Sequence, residues 1–207
     1  NIHSMDISQT ELELLSGYSA SELVGGLILG AAARKTKDPD MRYKLTLHCA
    51  EETRHGALWA ETIRALGAYP LEFHDRDRSH YFTQAGELKS DTELLAFLQC
   101  FEKLVPFHFS MHALRKNVHP KVKETIATMI KDEVSHLSWT KKKLDQMRES
   151  GDGDKVDALM KKYTDLTVSV FENEISRMQN SEDPELVEFA SIILSHWPKA
   201  KHDLYGR

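Results

Sequence analysis

The chain has 207 residues, 41% hydrophobic and 29% charged, with a formal net charge of -5. That length accommodates one domain, 1-207, with a substantial core, and the acidic balance supplies no basic surface for nucleic acid or anionic lipid. Two cysteines, Cys49 and Cys100, are too few for a disulfide scaffold and, without a Cys-x-x-Cys pair, exclude a cysteine-ligated iron centre. No run approaches the roughly 18 uninterrupted apolar residues of a membrane span. Asn1 to Ser4 lack the basic start and apolar core of a signal peptide. The expectation is a cytoplasmic protein without nucleic-acid or membrane partners.

Ser8-Gln9-Thr10-Glu11 opens a first helix, with Leu12, Leu15, Leu23 and Ile28 lining one stripe up to about Lys35. Thr36-Lys37-Asp38-Pro39-Asp40 is the break. A second helix runs from about Asp40 to Leu66 and ends at Gly67, with Leu45, His48, Glu52, His55, Trp59 and Ile63 on successive turns. Gly67 to about Lys89 has no helical period and holds Pro70, His74, Asp75, Arg76, Asp77 and Arg78. A connection this long crosses a bundle or carries function, and its Tyr81 segment is a candidate cover for a site.

Ser90-Asp91-Thr92-Glu93 is a capping box that opens a third helix reaching about Arg115. Pro106 should kink or bulge that helix, because it removes the hydrogen bond to the Glu102 carbonyl. After the turn Asn117-Val118-His119-Pro120, a fourth helix spans about Lys121 to Arg148, and Gly151-Asp152-Gly153 breaks the chain. Val156 through Met178 recur at helical spacing in a fifth helix, and Pro184 opens a sixth that ends near Trp197. The connections between the first four helices run short, long, short. The expected architecture is therefore all-α: two antiparallel hairpins over 10-148 joined by a long crossover, and a two-helix extension over 154-198.

One pattern occurs twice along these helices. Glu22 precedes Glu52-Thr53-Arg54-His55, and Glu102 precedes Glu133-Val134-Ser135-His136. Residues three apart share a helix face, so each Glu-x-x-His projects a carboxylate with an imidazole. Glu22 and Glu52 lie 16 and 14 residues either side of Asp38, and Glu102 and Glu133 lie 17 and 14 either side of His119. At about 1.5 Å per residue, each pair meets roughly 21 to 25 Å from its turn, whereas Glu13 falls far out of register. Glu22 could alternatively close a capping box with Ser19; register favours the ligand role. Burying four carboxylates together requires cations, and two divalent ions would neutralise them. Mixed oxygen and imidazole donors suit iron or manganese and not a structural zinc site.

The doubled Glu and Glu-x-x-His pattern resembles the ferritin-like di-iron carboxylate superfamily, specifically its non-haem oxygenase and oxidase members. The resemblance implies a ferritin-like four-helix bundle and two iron ions, with manganese or a mixed Mn/Fe pair as variants. It makes Glu22, His55, Glu102 and His136 terminal ligands and Glu52 and Glu133 bridging ones. Glu51-Glu52-Thr53-Arg54-His55 and Asp132-Glu133-Val134-Ser135-His136 further resemble the acidic-Glu-x-Arg-His motif of di-iron oxygenases and desaturases. That places Glu51, Asp132 and Arg54 around the ligands, the acids accepting the second ring N–H of a histidine; Ser135 departs from the motif.

Gly25 and Gly26, one turn beyond Glu22, either leave room beside the metals or allow close helix packing. Trp59 and Trp139 read as core residues in preference to electron carriers. His48, His108 and His112 read as polar lining and not as ligands. The resemblance implies an enzyme that activates O2 to oxidise a small or partly apolar substrate; with no flavin, haem or rubredoxin motif in the sequence its electrons are expected from an external donor, and the last two helices could cap the bundle, roof a cavity or form a homodimer surface. The alternative is ferroxidase or peroxidase-type metal handling, as in bacterioferritin or rubrerythrin. A metal-free scaffold would leave all six ligand positions to coincidence.

Overall fold

A computed structural model describes residues 5–72 and 85–206. Among the described residues there is no strand. The helices are α1 (Gln9–Lys35), α2 (Pro39–Ala65), α3 (Asp91–Ala113), α4 (Pro120–Met147), α5 (Gly153–Gln179) and α6 (Pro184–Tyr205), with a π turn at Arg148–Asp152 between α4 and α5. Residues 73–84, which include His74 to Arg78 and Tyr81, lie outside the described residues, as do Asn1 to Ser4.

The first compact unit comprises Asn1–Arg76 and His119–Thr125. Its helix starts follow capping chemistry. The Ser8 hydroxyl accepts from the Glu11 amide at 3.1 Å, and the Asp38 carboxylate accepts from the Asp40 and Met41 amides at 2.9 and 3.2 Å. Pro39 occupies the first helical position of α2, where its missing N–H is harmless. Gly67, at φ 87°, ends that helix in the left-handed region.

α1 and α2 pack along seams that advance by alternating steps of three and four residues. On α2 the seam residues are Met41, Leu45, His48, Glu52, His55, Trp59, Thr62 or Ile63, and Leu66, all of them buried. On α1 they are Leu12, Leu15, Ser19, Gly26, Leu29 and Ala33, with Glu22 filling the central step. This corrects the expected stripe, since Leu23 is 45% exposed and Ile28 only half-buried. The reason is backbone proximity. A Cβ on Gly26 would lie 2.5 Å from Thr53 Cγ2, and one on Gly56 would lie 3.1 Å from the Ser19 carbonyl oxygen, so small residues replace apolar ones where the helices meet. By mean hydropathy, as opposed to an uninterrupted run, α1 has the length and composition of a membrane span, with 33% of its most apolar window buried; a tightly packed core helix has the same signature.

The second unit comprises Asp77–Val118 and Ile126–Arg207. Ser90 accepts from the Glu93 amide at 3.1 Å, and the Glu93 carboxylate accepts from the Lys89 amide at 2.9 Å. α3 packs on α5 and α6, and α5 packs on α6. The C-terminal helices thus form the core against which α3 is buried. Phe171 meets Trp197 at 4.9 Å between ring centres, and His108 and His112 stack against Phe189 at 5.7 and 5.4 Å. Arg115 closes this cluster through Glu185 at 3.1 Å. His108 and His112 are therefore core residues of the second unit.

Two expectations change here. α3 continues unbroken from Asp91 to Ala113 through Pro106, so the expected bulge does not occur at that proline. The π turn lies instead at Arg148–Asp152, where Gly151 takes φ 101°; glycine enters this region without steric penalty. α6 also runs eight residues past Trp197, through Pro198 to Tyr205. Pro198 removes a single helical hydrogen bond, whereas buried Leu204 holds the last turn and Tyr205 donates to Asp165 at 2.6 Å.

Candidate metal centre

In the first unit, α1 and α2 bring Glu22, Glu52 and His55 together, with one donor atom from each lying within 4.8 Å of the others. Ser19 sits inside α1 and its hydroxyl donates to the Gly56 carbonyl at 2.8 Å, which removes the capping alternative for Glu22. His55 is oriented by two carboxylates. Its Nδ1 lies 3.9 Å from Glu22 and its Nε2 4.0 Å from Glu51, so the two ring nitrogens have different acidic neighbours. Arg54 lies on the exposed side of α2.

His48 is the residue that sequence reasoning underused. It is 2% exposed, and Glu52 Oε1 accepts from its Nε2 at 3.2 Å. The available signal was its spacing: His48 is one turn before Glu52 on the α2 seam. The two glycines beyond Glu22 separate into distinct roles. A Cβ on Gly25 would make ordinary contact with Glu52 Oε2 at 3.7 Å, whereas Gly26 is enforced by Thr53. Gly25 therefore borders the carboxylate, and Gly26 serves helix packing. Trp59 is fully buried and packs on Tyr18 at 5.3 Å, and Trp139 is half-buried.

In the second unit, α3 and α4 bring Glu102, Glu133 and His136 together. His136 Nδ1 lies 3.7 Å from Glu102 Oε1 and 3.6 Å from Glu133 Oε2. All three residues are buried, and Asp132 is half-buried. Behind them Thr140 donates to the side-chain oxygen of Gln99, one turn from Glu102. This bridge ties α3 to α4 beside the three candidate ligands, and the sequence carried no evident signal for it.

The donor sets can be tested for metal directly. Separations of 3.6 to 3.9 Å between imidazole nitrogen and carboxylate oxygen exceed a hydrogen bond of about 2.9 Å. They fall within the roughly 3 to 4 Å that separates two donors each about 2.1 Å from one ion. Buried carboxylates converging in this way repel one another unless a cation stands between them. The hard oxygen and imidazole set accommodates iron or manganese in either unit.

No family model matches this sequence, and no characterised protein matches it by sequence similarity. A solved structure from Synechococcus, described as a protein with aldehyde deformylating oxidase activity, is similar across 100% of this chain and 94% of its own. The TM-score is 0.60 and the identity 15%. That likeness gives the fold class, all-α and ferritin-like, as the doubled sequence pattern led us to expect.

Proposed function

We propose that this protein is a dinuclear non-haem metal enzyme, di-iron in its working form, that uses O2 to oxidise a small or partly apolar organic substrate. The ligands in this reading are Glu22, Glu52 and His55 of the first unit and Glu102, Glu133 and His136 of the second. The observation that carries it is the repeated half-site: in each unit two buried or half-buried glutamates accompany one histidine whose Nδ1 faces a carboxylate. The likeness in fold to a protein with oxidase activity supports the same reading.

When bound, the metal pair supplies one-electron chemistry with O2 that side chains cannot perform. The chain's own contribution is positional. Glu51 faces the outer nitrogen of His55, so that Nδ1 is turned toward Glu22. His48 holds one oxygen of Glu52 and fixes that carboxylate's rotation. Gly25 keeps the neighbourhood of the other oxygen clear of side-chain atoms. Electrons must come from an external donor, because the chain has neither a cysteine-ligated iron motif nor a flavin or haem motif. The two free cysteines suit a reducing compartment, and the reading places the enzyme in the cytoplasm.

Anaerobic loading with ferrous iron followed by exposure to O2 tests this. About two irons per chain, with rapid O2 uptake that stops once the bound iron is oxidised, is the expected result. Substoichiometric iron unchanged by Glu52→Ala or Glu133→Ala would remove the metal assignment. Growth of a mineral core on continued iron addition would transfer the protein to storage, the competing reading.

A further inference from the structure

The second unit contains a cleft of about 840 Å³, lined by α3, α4, the π turn, α5 and the last turns of α6. Its volume is within the range of small-molecule sites, roughly 300 to 1,000 Å³. Apolar side chains, Leu104, Phe107, Leu137 and Met160 among them, supply one part of the lining, and four cations and three carboxylates supply another.

The charged groups differ in how they are engaged. Arg148 holds Asp145 at 2.7 Å and Asp157 at 3.2 Å, and Lys141 shares Asp145 at 2.8 Å. Lys161 holds Asp165, which is outside the lining, at 3.0 Å, and the third lining carboxylate is Asp203, on the last turn of α6. Lys103 is different: it donates to the Gly206 carbonyl at 3.1 Å, and no ion pair to it is found among the described residues. It is half-buried beside Leu104, so its charge projects from an apolar wall into the cleft. A desolvated cation next to apolar surface is matched by a ligand with one negative group and a hydrocarbon body.

We infer that this cleft binds a small organic monoanion, a carboxylate carrying an apolar body, with Lys103 receiving the anionic group and the Phe107 and Met160 walls receiving the remainder. The site is separate from the metal ligands. None of Glu102, Glu133 and His136 lines it, whereas Gln99 does, and Gln99 accepts from the Thr140 hydroxyl, which also reaches the His136 carbonyl. Occupancy would bear on the α3–α4 bridge, and through it on the second half of the ligand set. The assignment of the cleft does not depend on the metal reading.

Calorimetric titration of the full chain with 4-phenylbutyrate, 4-phenylbutanol and acetate tests the inference, with hydrogen exchange to locate the ligand. The carboxylate should bind about tenfold more tightly than the alcohol, acetate should not displace it, and protection should appear in 157–164 and 203–206. Lys103→Gln should abolish the preference for the carboxylate, while Lys103→Arg retains it. Should Lys103→Gln fold poorly, Met160→Glu supplies the second reading by repelling the carboxylate from the opposite wall. Equal binding of acid and alcohol, displacement by acetate, protection confined to other helices, or no binding by any of the three would overturn it. Because the readout is binding and not turnover, its failure would leave the metal reading untouched.

Discussion

The α1–α2 pair and the α3–α4 pair present the same three residues, two glutamates and a histidine, on seams built differently. Around the first half-site the corresponding positions are Ser19, Gly25, Gly26, His48, Gly56 and Trp59; around the second they are Gln99, Val105, Pro106, Met129, Leu137 and Thr140. In the first, small residues let two backbones approach, and the Ser19 hydroxyl reaches the Gly56 carbonyl directly. In the second, longer side chains meet, as Gln99 and Thr140 do. Donor identity is thus compatible with two kinds of support. The halves differ in sequence around these residues: His48 and Gly25 lie beside Glu52, and the second half has Met129 and Val105 at the matching positions.

The comparison can be broken most severely at the ligands themselves. If the halves are equivalent as donors, Glu52→Ala and Glu133→Ala should each lower iron from about two per chain to one or fewer and suppress O2 uptake by orders of magnitude, measured by elemental analysis and an oxygen electrode. Loss with one variant only would confine metal to a single half. The next largest effect concerns packing. Gly26→Val should destabilise the fold by about 1 to 3 kcal/mol in denaturant unfolding, through the clash with Thr53. Pro106→Ala, at the equivalent position, should be stabilising, since proline inside a helix is unfavourable by about 3 kcal/mol.

Cys100 extends the comparison to pH. Burial pushes its thiol from 9.0 up to about 11, with the Thr164 hydrogen bond opposing that shift. The folded state therefore holds this proton more tightly than the unfolded chain. The associated stability is complete below pH 9 and lost as pH rises toward 11, by roughly 2 to 3 kcal/mol. Cys100→Ala should flatten that alkaline decline in thermal melts. Smaller again, His48→Gln should weaken metal affinity by about tenfold or somewhat more by freeing the Glu52 carboxylate, while Met129→Leu leaves it within error. A normal affinity in His48→Gln would show that Glu52 needs no such anchor.

Much of the fold was legible because its signals are local and redundant. Ser8, Asp38 and Ser90 mark helix starts, Gly67 and Gly151 mark stops, and the α2 seam from Leu45 to Ile63 repeats without interruption. The α1 seam was harder to read. At Ser19, Glu22 and Gly26 it uses residues that hydrophobic periodicity does not score, so Leu23 and Ile28 drew the stripe to the wrong face. Pro106 was read as a kink or bulge and the last helix as ending near Trp197, yet α3 runs through Pro106 and α6 through Pro198, each proline removing one helical hydrogen bond that packing offsets. The six candidate ligands were visible through recurrence and register. His48 was not chosen, because a histidine before a glutamate has no recurrence in the other half to mark it. The Gln99–Thr140 bridge and the cleft at Lys103 depend on contacts over 41 and 103 residues, which no local pattern encodes.

The alternating three- and four-residue step of the seams has a consequence for how such a chain can change. Glu22, Glu52 and His55 occupy rungs of the α1 and α2 seams that elsewhere hold residues such as leucine and methionine, so the same rotation that buries the core also aims these side chains. Adding or removing one residue between Glu22 and the Asp38 turn would swing Glu22 by about 100° off the seam, whereas adding seven would restore its direction and displace it about 10 Å along the axis. In either event Glu22 leaves the company of Glu52 and His55. The span from donor to turn is thus fixed as strictly as the donors are, and natural length variation should collect beyond these segments.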